Sequence, residues 1–118
     1  MRKILIIDDE PHILKGFQKL LRHDYEVLSA LSGSEGMRLI DEARPELILL
    51  DWQFKGIVEG KEVLNFSKEK YPKIPVWVIT ASADFIDEIE SSGADLCILK
   101  PCLGLELREK ILRALPPF

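Results

Sequence analysis

Cysteine is nearly absent: Cys97 and Cys102 are the only two in 118 residues. Two thiols cannot build a disulfide framework, and these lack the spacing and histidine partners of a zinc site, so both read as reduced thiols. Long apolar runs are missing too. No stretch approaches the roughly 20 residues needed to cross a bilayer. Arg2 and Lys3 lead into only four apolar residues before Asp8 and Asp9, which is unlike a signal peptide. A cytoplasmic location, with no membrane partner, is the expectation. Positive charge is not in excess either. The formal charge is −4 and no basic stripe with interleaved aromatics occurs, which argues against direct nucleic-acid binding by this segment. Lys68-Glu69-Lys70 and Arg108-Glu109-Lys110 mix signs as solvated helix faces do. His12 and His23 are solitary and read as surface residues. There is no Gly-x-Gly-x-x-Gly motif, and Gly33 and Gly36 read as a loose start to a helix rather than a dinucleotide loop.

What is present fits one compact unit. A chain of 118 residues, 47% apolar and 31% charged, is the size of a single domain, read as residues 1–118. Pro116-Pro117-Phe118 reads equally as its end or as the first step of a linker. Five short apolar runs recur: Ile4 to Ile7, Val27 to Ala30, Leu47 to Leu50, Val76 to Ile79 and Cys97 to Leu99. Between them lie segments with helical spacing. Ile13, Phe17 and Leu20 with Leu21 form one stripe, Met37, Leu39 and Ile40 a second, and Val63, Leu64 and Phe66 with Tyr71 a third. Phe85 to Ser91 is a short fourth helix, and Leu107, Ile111 and Leu115 mark a fifth. Nearly continuous apolar strands alternating with helices predict a parallel sheet covered on both faces. The fold class is therefore α/β: a flavodoxin-like, doubly wound five-stranded sheet of order 2-1-3-4-5 with five helices.

All strands of a parallel sheet end on one edge, where such folds bind ligands. The first strand closes in Asp8 and Asp9, the third in Asp51, the fourth in Thr80 and the fifth in Lys100. Any one of these is weak evidence, because with 20 acidic residues adjacent pairs arise by chance and Asp9-Glu10 could simply cap a helix. Four strand ends converging with complementary groups are not. Clustered carboxylates repel, at about 4 kcal/mol per pair ~4 Å apart in an effective dielectric near 20, so they suit a cation. Hard oxygen donors at a wet edge favour Mg²⁺. A carboxylate can attack phosphorus to give an aspartyl phosphate, and the central position of Asp51 makes it the nucleophile. Mg²⁺, the Lys100 ammonium and the Thr80 hydroxyl would then neutralise the three phosphoryl oxygens.

The strings Ile6-Ile7-Asp8-Asp9-Glu10, Leu49-Leu50-Asp51, Ile79-Thr80-Ala81, Gly93-Ala94-Asp95 and Leu99-Lys100-Pro101 resemble, in this order and over essentially the whole chain, the receiver domains of two-component response regulators. The resemblance implies a signalling switch rather than an enzyme, with Asp51 phosphorylated by a sensor histidine kinase or phosphotransfer protein. It implies that Asp9 and Asp51 bind Mg²⁺ directly, Asp8 through water, and the Gln53 backbone carbonyl as the last protein ligand. It implies a cis Lys100-Pro101 peptide, a small Ala81 that leaves the donor room, and a downstream effector protein or fused output domain.

Three features depart from the family pattern. Lys55 stands where proline is usual, with Gly60 nine residues after Asp51 instead of eight. Only twelve residues separate Thr80 from Gly93. Cys97 replaces the aromatic that changes rotamer on activation, so the relay through the fifth strand is expected to be muted, unless Phe85 supplies the missing ring. Two other readings compete: a degenerate receiver acting as a constitutive protein-binding module, and a haloacid-dehalogenase-like phosphatase, which would place an Asp-x-Asp nucleophile after the first strand.

Overall fold

The computed structural model describes residues 1–53, 59–102 and 104–118. Lys55 lies outside the described residues. The elements run β1 (Lys3–Ile7), α1 (Pro11–Leu21), β2 (Glu26–Ala30), α2 (Gly33–Ala43), β3 (Leu47–Asp51), α3 (Gly60–Lys70), β4 (Val76–Thr80), α4 (Ile86–Ser91), β5 (Leu96–Leu99) and α5 (Gly104–Ala114). A single turn of 3₁₀ helix, Ala83–Phe85, precedes α4. All strand pairs are parallel, in the order β2-β1-β3-β4-β5.

Period-two alternation along the strands sorts side chains to opposite faces and so creates two cores. Leu5, Ile7, Ile48, Leu50, Val76 and Val78 pack with Ile40, Val63, Leu64 and Ile89 of α2, α3 and α4. Ile4, Ile6, Leu47, Leu49 and Trp77 pack on the other side with Leu14 and Leu21 of α1, Leu107 and Ile111 of α5, and Leu115 just after it. Truncating one such fully buried Leu or Ile to Ala would cost roughly 2–5 kcal/mol. The turn after α1 is pinned twice: Arg108 Nη2 of α5 lies 2.6 Å from Asp24 Oδ2, and the buried Tyr25 hydroxyl donates to the carbonyl of Leu115, the residue after α5.

Three details differ from the sequence reading. On α1 the residues facing the sheet are Leu14 and Leu21, while Ile13, Phe17 and Leu20 are only half-buried. These three residues and Gly104 of α5 line one apolar cavity, and a Cβ on Gly104 would sit 3.7 Å from Leu20 Cδ1. On α2, Gly33 and Gly36 are buried rather than loose, and a Cβ on Gly36 would come within 2.6 Å of Ile7 Cδ1. Glycine is what lets α2 approach β1. The edge strand β5 is only partly covered, with Leu99 45% exposed, because α4 is a mere six residues long.

Candidate functional site

The register of the sheet brings the polar strand ends together. Asp51 pairs with Ile79 and Thr80 with Leu99, so Asp51, Thr80 and Lys100 step across one edge in order. The Trp52 amide donates to the Ile79 carbonyl at 2.9 Å and the Lys100 amide to the Thr80 carbonyl at 2.7 Å, which fixes both strand exits. Asp8 leaves β1 with its amide bonded to the Ala30 carbonyl at 3.0 Å. Its carboxylate accepts the Glu10 amide at 3.0 Å, and Glu10, the residue before α1, makes no side-chain cap of its own. Asp8 therefore orients the start of α1, and the helix-capping reading fails for Glu10.

Carboxylate oxygens of Asp8, Asp9 and Asp51 lie within 4.8 Å of one another. Asp8 and Asp51 are buried, at 4% and 8% exposure. Burial pushes the Asp8 carboxyl above its ordinary value, the Glu10 amide opposes this, and the Asp51 charge adds to it. Burial likewise raises Asp51, against the pull of Lys100, whose Nζ lies 3.4 Å from Asp51 Oδ1, and of the Gln53 amide. Two acids that desolvation and mutual repulsion hold towards the protonated form gain most from a cation between them. The donors are all carboxylate oxygens, close enough to share one ion, which is the chemistry of a hard divalent cation.

Thr80 is fully buried. Its hydroxyl accepts the Ser82 amide at 3.2 Å, and its one proton is shared between Gln53 Oε1 at 3.4 Å and the Ser82 carbonyl at 3.3 Å. The adjacent Ala81 amide donates to Gln53 Oε1 at 2.8 Å. The Lys100-Pro101 peptide bond is cis. Cys97 and Cys102 are free thiols. Cys97 is half-buried, raised in pKa by burial and then by Glu90, and packs on the same core as Phe85.

Beside this cluster lies an apolar cavity of about 660 Å³, reached from Asp8, Ala81 and Lys100 and walled by Phe17, Leu20 and Leu107. Sequence reasoning missed it, having taken the α1 residues for core. From its place two residues after Asp51, Gln53 reads in the sequence as flanking the pocket and tuning the lifetime of a phosphoryl group, but its contact with the Ala81 amide is not legible there. A glutamine after a strand carries no signal of which neighbouring strand its amide will reach. Trp52 follows Asp51 in the chain, is buried in the core under α3 and α4, and walls a second cavity with Gln53 and Phe85.

The family model for the response regulator receiver domain matches residues 4–112. Among curated relatives, the transcriptional regulatory protein AfsQ1 of Streptomyces coelicolor is 35% identical over 94% of this chain and 50% of its own length. The chain spans about half the length of the curated relatives it matches. Among solved structures, a CheY-like receiver domain protein of Methanospirillum hungatei has a TM-score of 0.88 at 30% identity, covering 97% of this chain and 93% of that one. TrrA of Thermotoga maritima, a response regulator solved in complex with Mg²⁺ and BeF, has a TM-score of 0.87 at 28% identity, covering 98% and 100%.

Proposed function

This chain belongs to the response regulator receiver family, and from that premise we propose that it is a phosphorylation-activated switch whose phosphoacceptor is Asp51. The supporting observation is the position of Asp51: buried at the end of the central strand, 3.4 Å from the Lys100 ammonium and beside the Asp8 and Asp9 carboxylates. The donor is a sensor histidine kinase or a phosphotransfer protein in the cytoplasm. A carboxylate oxygen of Asp51 bonds to phosphorus as the bond from phosphorus to the donor's imidazole nitrogen breaks, leaving an acyl phosphate. Lys100 and the Thr80 hydroxyl each take one phosphoryl oxygen. Ala81, having no more than a methyl group, leaves the donor an approach.

Asp9 and Asp51 would hold Mg²⁺ directly, with Asp8 through water and the Gln53 backbone carbonyl completing the protein ligands. Bound there, Mg²⁺ supplies neutralisation of charge on the phosphoryl group. The domain is not an enzyme with a turnover substrate. Its product is an altered surface read by an effector protein or a fused output domain.

Incubation with a small phosphodonor and Mg²⁺ tests the reading. One base-labile phosphoryl group should accumulate per chain. Continuous turnover without accumulation would instead indicate a phosphatase, and no labelling a constitutive protein-binding module.

A further inference from the structure

The most specific feature at this edge is the Gln53 side chain, which folds back from the end of β3 onto the end of β4. Its terminal oxygen takes the Ala81 amide at 2.8 Å and lies 3.4 Å from the Thr80 hydroxyl. The orientation of the carboxamide is settled by its partner. A backbone N–H can only donate, so the atom facing Ala81 must be the acceptor oxygen. The Thr80 hydroxyl has one proton to give, and in this state it divides it between Gln53 and the Ser82 carbonyl.

A phosphoryl group on Asp51 needs this same corner. Its oxygen nearest β4 has two donors within the fold, the Thr80 hydroxyl and the neighbouring Ala81 amide, and Ala81 lines the same cavity as Asp8 and Lys100. Both donors face the Gln53 oxygen. We propose that Gln53 is a positioning residue that acts as a built-in competitor of the phosphoryl group: its side-chain carbonyl satisfies the Ala81 amide and Thr80 hydroxyl in the resting state and must be displaced on activation. The inference rests on Asp51 being the phosphoacceptor. It assigns to the side chain of Gln53 a role separate from that of its backbone carbonyl.

The physical consequence is a bias towards the resting conformation. Without Gln53 the Ala81 amide and Thr80 hydroxyl fall back on water, and the incoming anion need only displace that. One hydrogen bond of ordinary net strength corresponds to roughly a five-fold change in an equilibrium constant. Gln53→Ala removes the competitor. Gln53→Glu keeps the length and the acceptor, strengthens the bond to Ala81 by giving it charge, and places a negative group where the anion must arrive. The two variants should therefore move binding in opposite directions, which loss of bulk or a general loosening of the loop would not do.

The experiment is a titration of the whole chain with beryllium in excess fluoride, at Mg²⁺ saturating for each variant, followed by Trp52 fluorescence and by the Ala81 amide resonance. Relative to the wild type, Gln53→Ala should bind the beryllofluoride group about five-fold more tightly and Gln53→Glu several-fold more weakly. In the absence of the probe the Ala81 amide should move upfield in Gln53→Ala. With the probe bound, the wild type and Gln53→Ala should give coincident Ala81 shifts. If the wild type binds and Gln53→Ala binds no better, or if Gln53→Glu binds as well as Gln53→Ala, the competitor role is overturned while Asp51 stands. If the wild type itself shows no binding, the phosphoacceptor reading fails and the competitor role falls with it.

Discussion

Replacing Asp51 with Asn should make the metal-free domain more stable, and the size of the effect follows from the site. Oxygens of Asp8, Asp9 and Asp51 lie within 4.8 Å of one another, and at that separation two unit charges in an effective dielectric near 20 repel by about 3.5 kcal/mol. Asp51 suffers two such repulsions. It gains one attraction, to Lys100 at 3.4 Å, worth about 5 kcal/mol on the same scale. The Lys100 side chain is 38% exposed and Asp9 half-exposed, so water screens part of both contributions. The remainder, to which burial of Asp51 adds with the same sign, is a net cost of about 1–2 kcal/mol for the charge. Asn keeps the shape and removes that cost.

For a domain of this size the gain corresponds to a melting temperature higher by about 4–8 °C. The assay is thermal unfolding by circular dichroism in a chelating buffer. The sign with pH follows from the raised carboxyl of Asp51. Its favourable contribution is complete below the ordinary carboxylate value of 3.8 and is lost as pH rises through the higher folded value. The variant's advantage should therefore be small near pH 4 and grow towards pH 7. Mg²⁺ should narrow it, because a cation bound only by the folded wild type stabilises that protein by mass action. A variant that melts at or below the wild type in chelator at neutral pH would refute the electrostatic account.

Three further outcomes are expected. Mg²⁺ should change Trp52 emission, and Asp9→Ala should abolish the change; an undiminished response would put the cation elsewhere. Gly60→Ala should destabilise the fold by about 1–3 kcal/mol in chemical denaturation, since a Cβ there would stand 3.1 Å from the Trp52 carbonyl oxygen and 3.3 Å from its Cα; unchanged stability would mean that the end of β3 yields freely. With Cys97 in place of an aromatic ring, a phosphoryl mimic should shift backbone resonances around Trp52 and Ala81 more than those at 97–99 and 107–112. Equal shifts would show that the relay is intact.

The sheet was legible because five apolar runs alternate with helical stripes, and a parallel sheet covered on both faces explains that pattern with few alternatives. Its order and the polar strand ends followed from the same logic. The short α4 could be read from the distance between Thr80 and Gly93. The 3₁₀ turn before it could not, since it depends on a local bond in which the Ser82 hydroxyl accepts the Asp84 amide at 3.2 Å. On α1 the hydrophobic spacing admitted two neighbouring faces; Phe17 and Leu20 pack at the margin of the core and also line the cavity beside Gly104, which the spacing alone does not reveal. Gln53 illustrates the same limit at the site. Its reach to Ala81 is a tertiary contact between two strand ends, and no local pattern encodes it.

The central claim is that Asp51 alone carries the phosphoryl group and does so with a metal beside it. Treatment with a small phosphodonor and Mg²⁺, followed by borohydride reduction and peptide mapping, tests it most directly, because borohydride converts an acyl phosphate of aspartate into homoserine at the modified position. Conversion confined to Asp51, and lost when Mg²⁺ is chelated, is the predicted result. Conversion at Asp8 or Asp9, or conversion of Asp51 that persists undiminished in chelator, would contradict the account.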